Sequence, residues 1–405
     1  MAETRVPRNS TMRLGAIDGD LRVEENARIQ GDPKVTVSGR ARFDGSAEIE
    51  GSFECERFGS SDGTVTVRGD LIVRGELEAH DGAVEVDGSV RARRVDVDRR
   101  LRVGGTAEAE KFDVGGVLEG AQTLTARSVS VGGKFRLVGL LRAETVEAGG
   151  SVELGEVSID ALEVGGTVRV GRGEIRRSIE VGGQFVAQAP LSFGSLEVGG
   201  MAEFRDDARG KTLEVGGLLS AAKDLTFEKL EVGGVGRIAG NGHGGSVEVG
   251  GKFEVRGSLD LTGRLEVGGS IGVGEALSGE ALEIGGKLET RRAVFTGLAE
   301  VGGSIATQDG LKASRIRLRP KSRARGPLVG GAVSLERHAR GEDVYGETIE
   351  LEEKAGARRV FGAEVILRDG ASADEVTYTR SVAIDPGARV ATAPRKVDSL
   401  PPFPL

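Results

Sequence analysis

The chain is short of reactive and conformationally rigid side chains. Its 405 residues include 1 Cys, 3 His, 2 Tyr, 10 Pro and no Trp. The lone Cys55 excludes a disulfide scaffold and has no partner for a thiolate metal or redox motif. So few prolines exclude a collagen triple helix. No apolar run reaches the length of about 18 residues that a membrane-spanning helix needs. The polar opening, Met1 to Thr11, lacks the apolar stretch of a signal peptide, so a cytoplasmic location is expected. His80, His243 and His338 are far apart in sequence, which argues against a histidine pair or triad.

What the chain has is glycine: 66 residues, far above ordinary usage. Its spacing is regular. Val-Gly-Gly or a close variant recurs with its first glycine at Gly132, Gly149, Gly165, Gly182, Gly199, Gly216, Gly233, Gly250, Gly268, Gly285 and Gly302. Eight of those ten intervals are 17 residues. Before residue 100 the glycines fall about six apart, as at Gly39, Gly45, Gly51, Gly63, Gly69 and Gly75. Three such steps make one long one. Between glycines the text alternates apolar and polar, as in Leu162-Glu163-Val164-Gly165-Gly166-Thr167-Val168, which is the period of a strand.

Both periods fit one object: an all-β, single-stranded, three-sided parallel β-helix of about 17 residues per coil. Glycine is expected to supply positive φ at its corners. Coils stacked about 4.8 Å apart predict a rod on the order of 100 Å long. The expected organisation is a disordered tail over 1–11, a solenoid over 12–392, and a Pro-rich tail over 393–405. The residue two after each Gly-Gly pair is predicted to point inward: Phe135, Val152, Val168, Phe185, Leu219, Phe253, Ile271, Leu288 and Ile305.

Three outward features are candidates for function. The first is an acidic ladder, Glu147, Glu163, Glu180, Glu197, Glu214, Glu231, Glu248, Glu266, Glu283 and Glu300, at one repeat position. Stacked carboxylates about 5 Å apart repel by roughly 0.9 kcal/mol in water. The residues two before them are mostly Ser, Thr or Ala, so few cations offset this. Glu163 to Glu248 form a candidate weak cation stripe or a surface for a basic partner; a solvated face is the plainer reading. The second is a basic stretch, Arg315, Arg317, Arg319, Lys321, Arg323 and Arg325. It reads as an outward basic strand or as a loop inserted near 315–327, with Pro320 and Gly326-Pro327 favouring a loop for its second half. The third is the pair of tails, as disordered segments, end caps or docking peptides. Gly240-Asn241-Gly242-His243-Gly244-Gly245 matches a dinucleotide pattern by letter, but no helix follows, so it reads as a corner loop. No catalytic or cofactor site is expected.

Segments such as Val344-Tyr345-Gly346, Val360-Phe361-Gly362-Ala363 and Ile384-Asp385-Pro386-Gly387-Ala388-Arg389-Val390 resemble the bactofilins, polymer-forming cytoskeletal proteins. The resemblance covers roughly residues 12 to 392, about three times the family's usual coil count. It implies a right-handed helix and nucleotide-independent filaments that scaffold other cell components. The open end of a solenoid exposes unpaired strand edges over its core, so assembly is expected end to end, with Phe361, Tyr378 and Val382 near the contact. The expected partner is the chain itself, with protein partners through the tails. A net charge of −8 with almost no aromatic interleaving argues against nucleic acid, and membrane contact is at most peripheral. The alternative function is a monomeric binding rod that recruits a partner through the acidic ladder or the basic segment.

Overall fold

The computed structural model describes residues 3–402. They form 44 strands, with no helix among the described residues. Strand pairing is parallel, in stacked coils of about 17 residues: a β-solenoid of about 23 turns. The chain divides into two compact units, Met1–Met201 and Ala202–Leu405. Both have the same three-faced coil.

The coil follows from the alternation. In the strand Lys134–Ala148, Phe135, Leu137, Leu141, Ala143, Val146 and Ala148 are buried, while Lys134, Arg136, Arg142, Glu144 and Glu147 are exposed. Glycine and small residues bend this strand twice, so one segment serves three faces. Face A carries Val146, face B Phe135 and face C Leu141. Each residue meets its equivalent one coil on: Val146 pairs with Leu162, Phe135 with Val152, Leu141 with Val157. All nine residues predicted two after a Gly-Gly pair are buried. Burying such a side chain stabilises by about 1.5–3 kcal/mol. Rings also stack between coils: Phe43 lies 4.8 Å from Phe58, and Phe53 meets Phe43 edge-on at 5.9 Å.

The glycine corners work differently from expectation. None of Gly132, Gly133, Gly149, Gly182 or Gly183 has positive φ. Their requirement is closeness. A Cβ on Gly149 would lie 2.6 Å from the carbonyl oxygen of Gly132, and one on Gly182 would lie 2.7 Å from that of Gly165. Positive φ appears where the pair is missing: at single glycines, as expected, such as Gly45, Gly63, Gly120 and Gly173, and also at Asn9, Asn26, Asp62, Asp81, Ala121, Lys321, His338 and Lys354. Asn and Asp adopt that region at low cost.

Both tails are shorter than predicted. Glu3–Val6 pairs with Asp20–Val23, and Val6 is fully buried, so the first coil starts within the expected tail. At the other end Arg395–Lys396 pairs with Thr377–Tyr378, and the Val397 N–H donates to the Tyr378 carbonyl at 2.9 Å. Residues 403–405 of the Pro-rich segment lie outside the described residues. The basic segment is not an insertion. Ser304–Leu318 is one strand, Arg315 and Arg317 pair with Leu298 and Glu300, and Arg323–Arg325 is again a strand. The Val-Gly-Gly at Val329 belongs to face C, where Val329 pairs with Lys312; it is not a late copy of the face A corner. Gly242–Val249 is a strand as well, not a corner loop, and the Phe227 ring fills the space beside Gly244.

Candidate functional surfaces

The acidic ladder forms in register on face A. In the first unit Glu147 pairs with Glu163, Glu163 with Glu180, and Glu180 with Glu197. In the second unit Glu214, Glu231, Glu248, Glu266, Glu283 and Glu300 follow one another in the same way. Their neutralisation differs. Among the described residues, none of Glu147, Glu163, Glu180 and Glu197 takes part in an ion pair. In the second unit Lys229 pairs with Glu231, and Arg264 with Glu266 at 3.3 Å and with Glu283. The expectation of few local cations therefore holds in the first unit and only in part in the second, where Lys229 and Arg264 stand two before the ladder position and Glu214 and Glu248 have no ion pair among the described residues.

No group of three or more His, Cys, Asp or Glu among the described residues is arranged to hold a metal ion. Ladder carboxylates point outward one per coil, so they do not converge on a point as a chelate requires. The Gly-Gly corners leave an open groove beside the first-unit ladder, bordered by Gly132, Glu147, Gly149, Glu163 and Gly165.

The basic segment is shared between faces. Arg315 and Arg317 lie on face A, and Arg317 reaches Glu336 at 3.7 Å. Arg319 turns back onto the ladder: it bonds Glu300, and its Nη2 lies 3.2 Å from Glu283 Oε1. It is the ladder's terminator, not a free interaction residue. Lys321 sits at the corner with φ 65°. Arg323 and Arg325 are exposed on face B, and Arg323 bridges to Arg340 one coil on. Among the described residues Arg315, Lys321, Arg323, Arg325, Arg337 and Arg340 take part in no ion pair.

The three residues predicted near the C-terminal end separate. Phe361 stacks on Tyr345, centroids 4.7 Å and planes 12° apart, on the outside of face C. The next coil pairs here at an offset of 16, so Phe361 faces Thr377 and Tyr378 faces Gly362; its extra residue comes only afterwards, between Tyr378 and Ser381. Tyr378 does not extend the aromatic row and is capped by Lys396. Val382 does lie at the end. It covers Val365, and Ile384 covers Leu367. Val365 and Leu367 are buried, Val382 is half-buried, and Ile384 is 40% exposed. Among the described residues no strand pairs with the far side of 381–384.

One cluster had no motif to announce it. Asp343 is buried on face C with 9% of its side chain exposed, and both oxygens accept from Arg358 and Arg359. The Arg359 guanidinium holds the Asp343 carboxyl below its ordinary range; Arg358 adds to this against the opposing effect of burial. Arg359 also lies 6.0 Å from the centroid of the Phe361 ring. The available signal was spacing: Arg358-Arg359 follows Asp343 by one coil.

His80 and His243 are exposed and each lies beside one aspartate, Asp98 at 3.9 Å and Asp260 at 3.6 Å. Burial pushes the Cys55 thiol up to about 12, so it is protonated and inert. No helix is long and apolar enough to cross a membrane among the described residues. No protein-family model matches the chain, and neither a curated protein nor a solved structure matches it.

Proposed function

We propose that the protein is structural and self-assembles end to end without a nucleotide, as a filament that scaffolds other cell components. The observation that carries this reading is the open coil end at Ser381–Ile384. An unpaired parallel edge with Val382 and Ile384 over the core favours addition of another strand. The N-terminal edge offers a counterpart: among the described residues Glu3–Val6 pairs on one side only, and Met12, Leu14 and Ile17 are only half-buried. Coil length and composition, which resemble those of the bactofilins, point the same way.

Negative-stain microscopy of purified protein in nucleotide-free buffer tests this. Filaments that shorten or vanish in Val382→Asp are the expected result. Single particles at all concentrations would favour the alternative, a monomeric binding protein.

A further inference from the structure

Among the described residues neither the first-unit ladder nor the basic corner takes part in an ion pair, and only Glu342, beside Gly326, and Glu353, beside Arg337, bring carboxylates near the corner. Elsewhere cations are matched across coils, as in Arg136 with Glu153 at 3.3 Å and Arg237 with Glu254 at 3.4 Å. At the basic corner this matching stops. Arg323 and Arg340 occupy bridged positions, so two like charges sit one coil apart, with Lys321, Arg325 and Arg337 close in the chain. Like charges directly opposite are destabilising. Such an array gains when an anionic surface of the same spacing covers it.

We propose that Lys321, Arg323, Arg325, Arg337 and Arg340 form a docking surface for the Glu147–Glu197 ladder of a second copy of this chain, side by side. Charge complementarity selects this occupant. Arg323 and Arg340 lie one coil apart, about 4.8 Å, which is also the spacing of the ladder, so these two guanidiniums can meet two successive carboxylates. The planar Arg fork suits a carboxylate. Small neighbours flank the ladder at Thr145, Ala161, Ser178 and Ser195, and the groove at Gly132, Gly149 and Gly165 gives a long side chain room to enter. The second-unit ladder is a poorer occupant, since Lys229, Arg264 and Arg319 already engage it. The contact joins two different surfaces, so each copy can both give and receive, and lateral arrays can extend. It does not rest on the end-to-end reading, because neither surface includes Ser381–Ile384.

Sedimentation velocity tests it on the full chain carrying Val382→Asp and Ile384→Asp, which removes end contacts. That parent should associate at low salt and dissociate near ~0.5 M salt, where screening shortens to a few ångströms. Arg323→Glu with Arg340→Glu should weaken association at least tenfold, and so should Glu163→Arg with Glu180→Arg. Mixing the two variants should restore it, because each supplies the surface the other lacks. Circular dichroism checks that each is folded. Association of either variant at the parent's level would overturn the proposal, as would failure of the mixture to associate. A parent that stays monomeric at low salt but binds DNA or anionic vesicles would also overturn it.

Discussion

Two kinds of corner turn the same coil. At the Gly-Gly corners the hydrogen bonds run between coils, as from the Gly132 N–H to the Val114 carbonyl and from the Gly133 N–H to that of Gly116. In the last coils the corner closes on itself. Ser322, Ala339, Ala355 and Ala371 each donate to the carbonyl three residues earlier, at 3.2, 2.8, 3.0 and 2.9 Å. The residue before each has positive φ: Lys321, His338, Lys354 and Gly370. The first kind depends on the coil below and leaves no room for a side chain at its second glycine. The second is a self-contained turn that accepts several residue types at the cost of some strain. Glycine content is therefore a measure of how closely corners stack, not of how flexible they are.

The comparison can be broken in order of effect. Asp343→Asn removes the tie between the last coils, and about 1.5–3 kcal/mol of stability should go with it, read by denaturant melts. The sign with pH is fixed. The carboxyl is held below its ordinary value, so the contribution is present above that value. It is lost as pH falls through the lower, folded-state value, and neutral-to-basic titration should leave it intact.

Next comes a pair within one corner. A Cβ on Gly269 would overlap the Gly251 carbonyl oxygen, whereas one on Gly268 would sit 3.5 Å from the nearest oxygen. Gly269→Ala should cost about 1–3 kcal/mol. Gly268→Ala should stay within about 0.5 kcal/mol, and equal melting points would refute the stacking explanation. At a self-closed corner the sign reverses: His338→Gly relieves positive φ and should stabilise by up to about 1 kcal/mol. A gain is also expected at a glycine outside any corner. Gly272 has open space where a Cβ would go, so Gly272→Ala should raise stability by about 0.4–1 kcal/mol.

Much of this fold was legible because a solenoid repeats its own evidence. A 17-residue period and alternating polarity placed Phe135, Phe185 and Phe253 inside and the glutamates of face A outside. What was not legible depends on which atoms meet across coils. Spacing alone cannot distinguish a glycine needed for φ from one needed for closeness. Nor does it show that Arg319 folds back onto Glu283, 36 residues earlier. The basic segment looked like an insertion because the next Val-Gly-Gly belongs to another face. Tyr378 looked equivalent to Phe361 because it follows by 17 residues, the common period, whereas the coils pair there at an offset of 16.

The central claim is that the open coil end drives assembly. A sedimentation-velocity concentration series on the wild-type chain in high salt, beside Ile384→Asp, tests it most directly. Salt suppresses contacts between charged surfaces and strengthens apolar ones. The account predicts concentration-dependent growth of the wild type and a single slow boundary for the variant. A wild type that sediments as one species at every concentration, or a variant that grows as the wild type does, would contradict it.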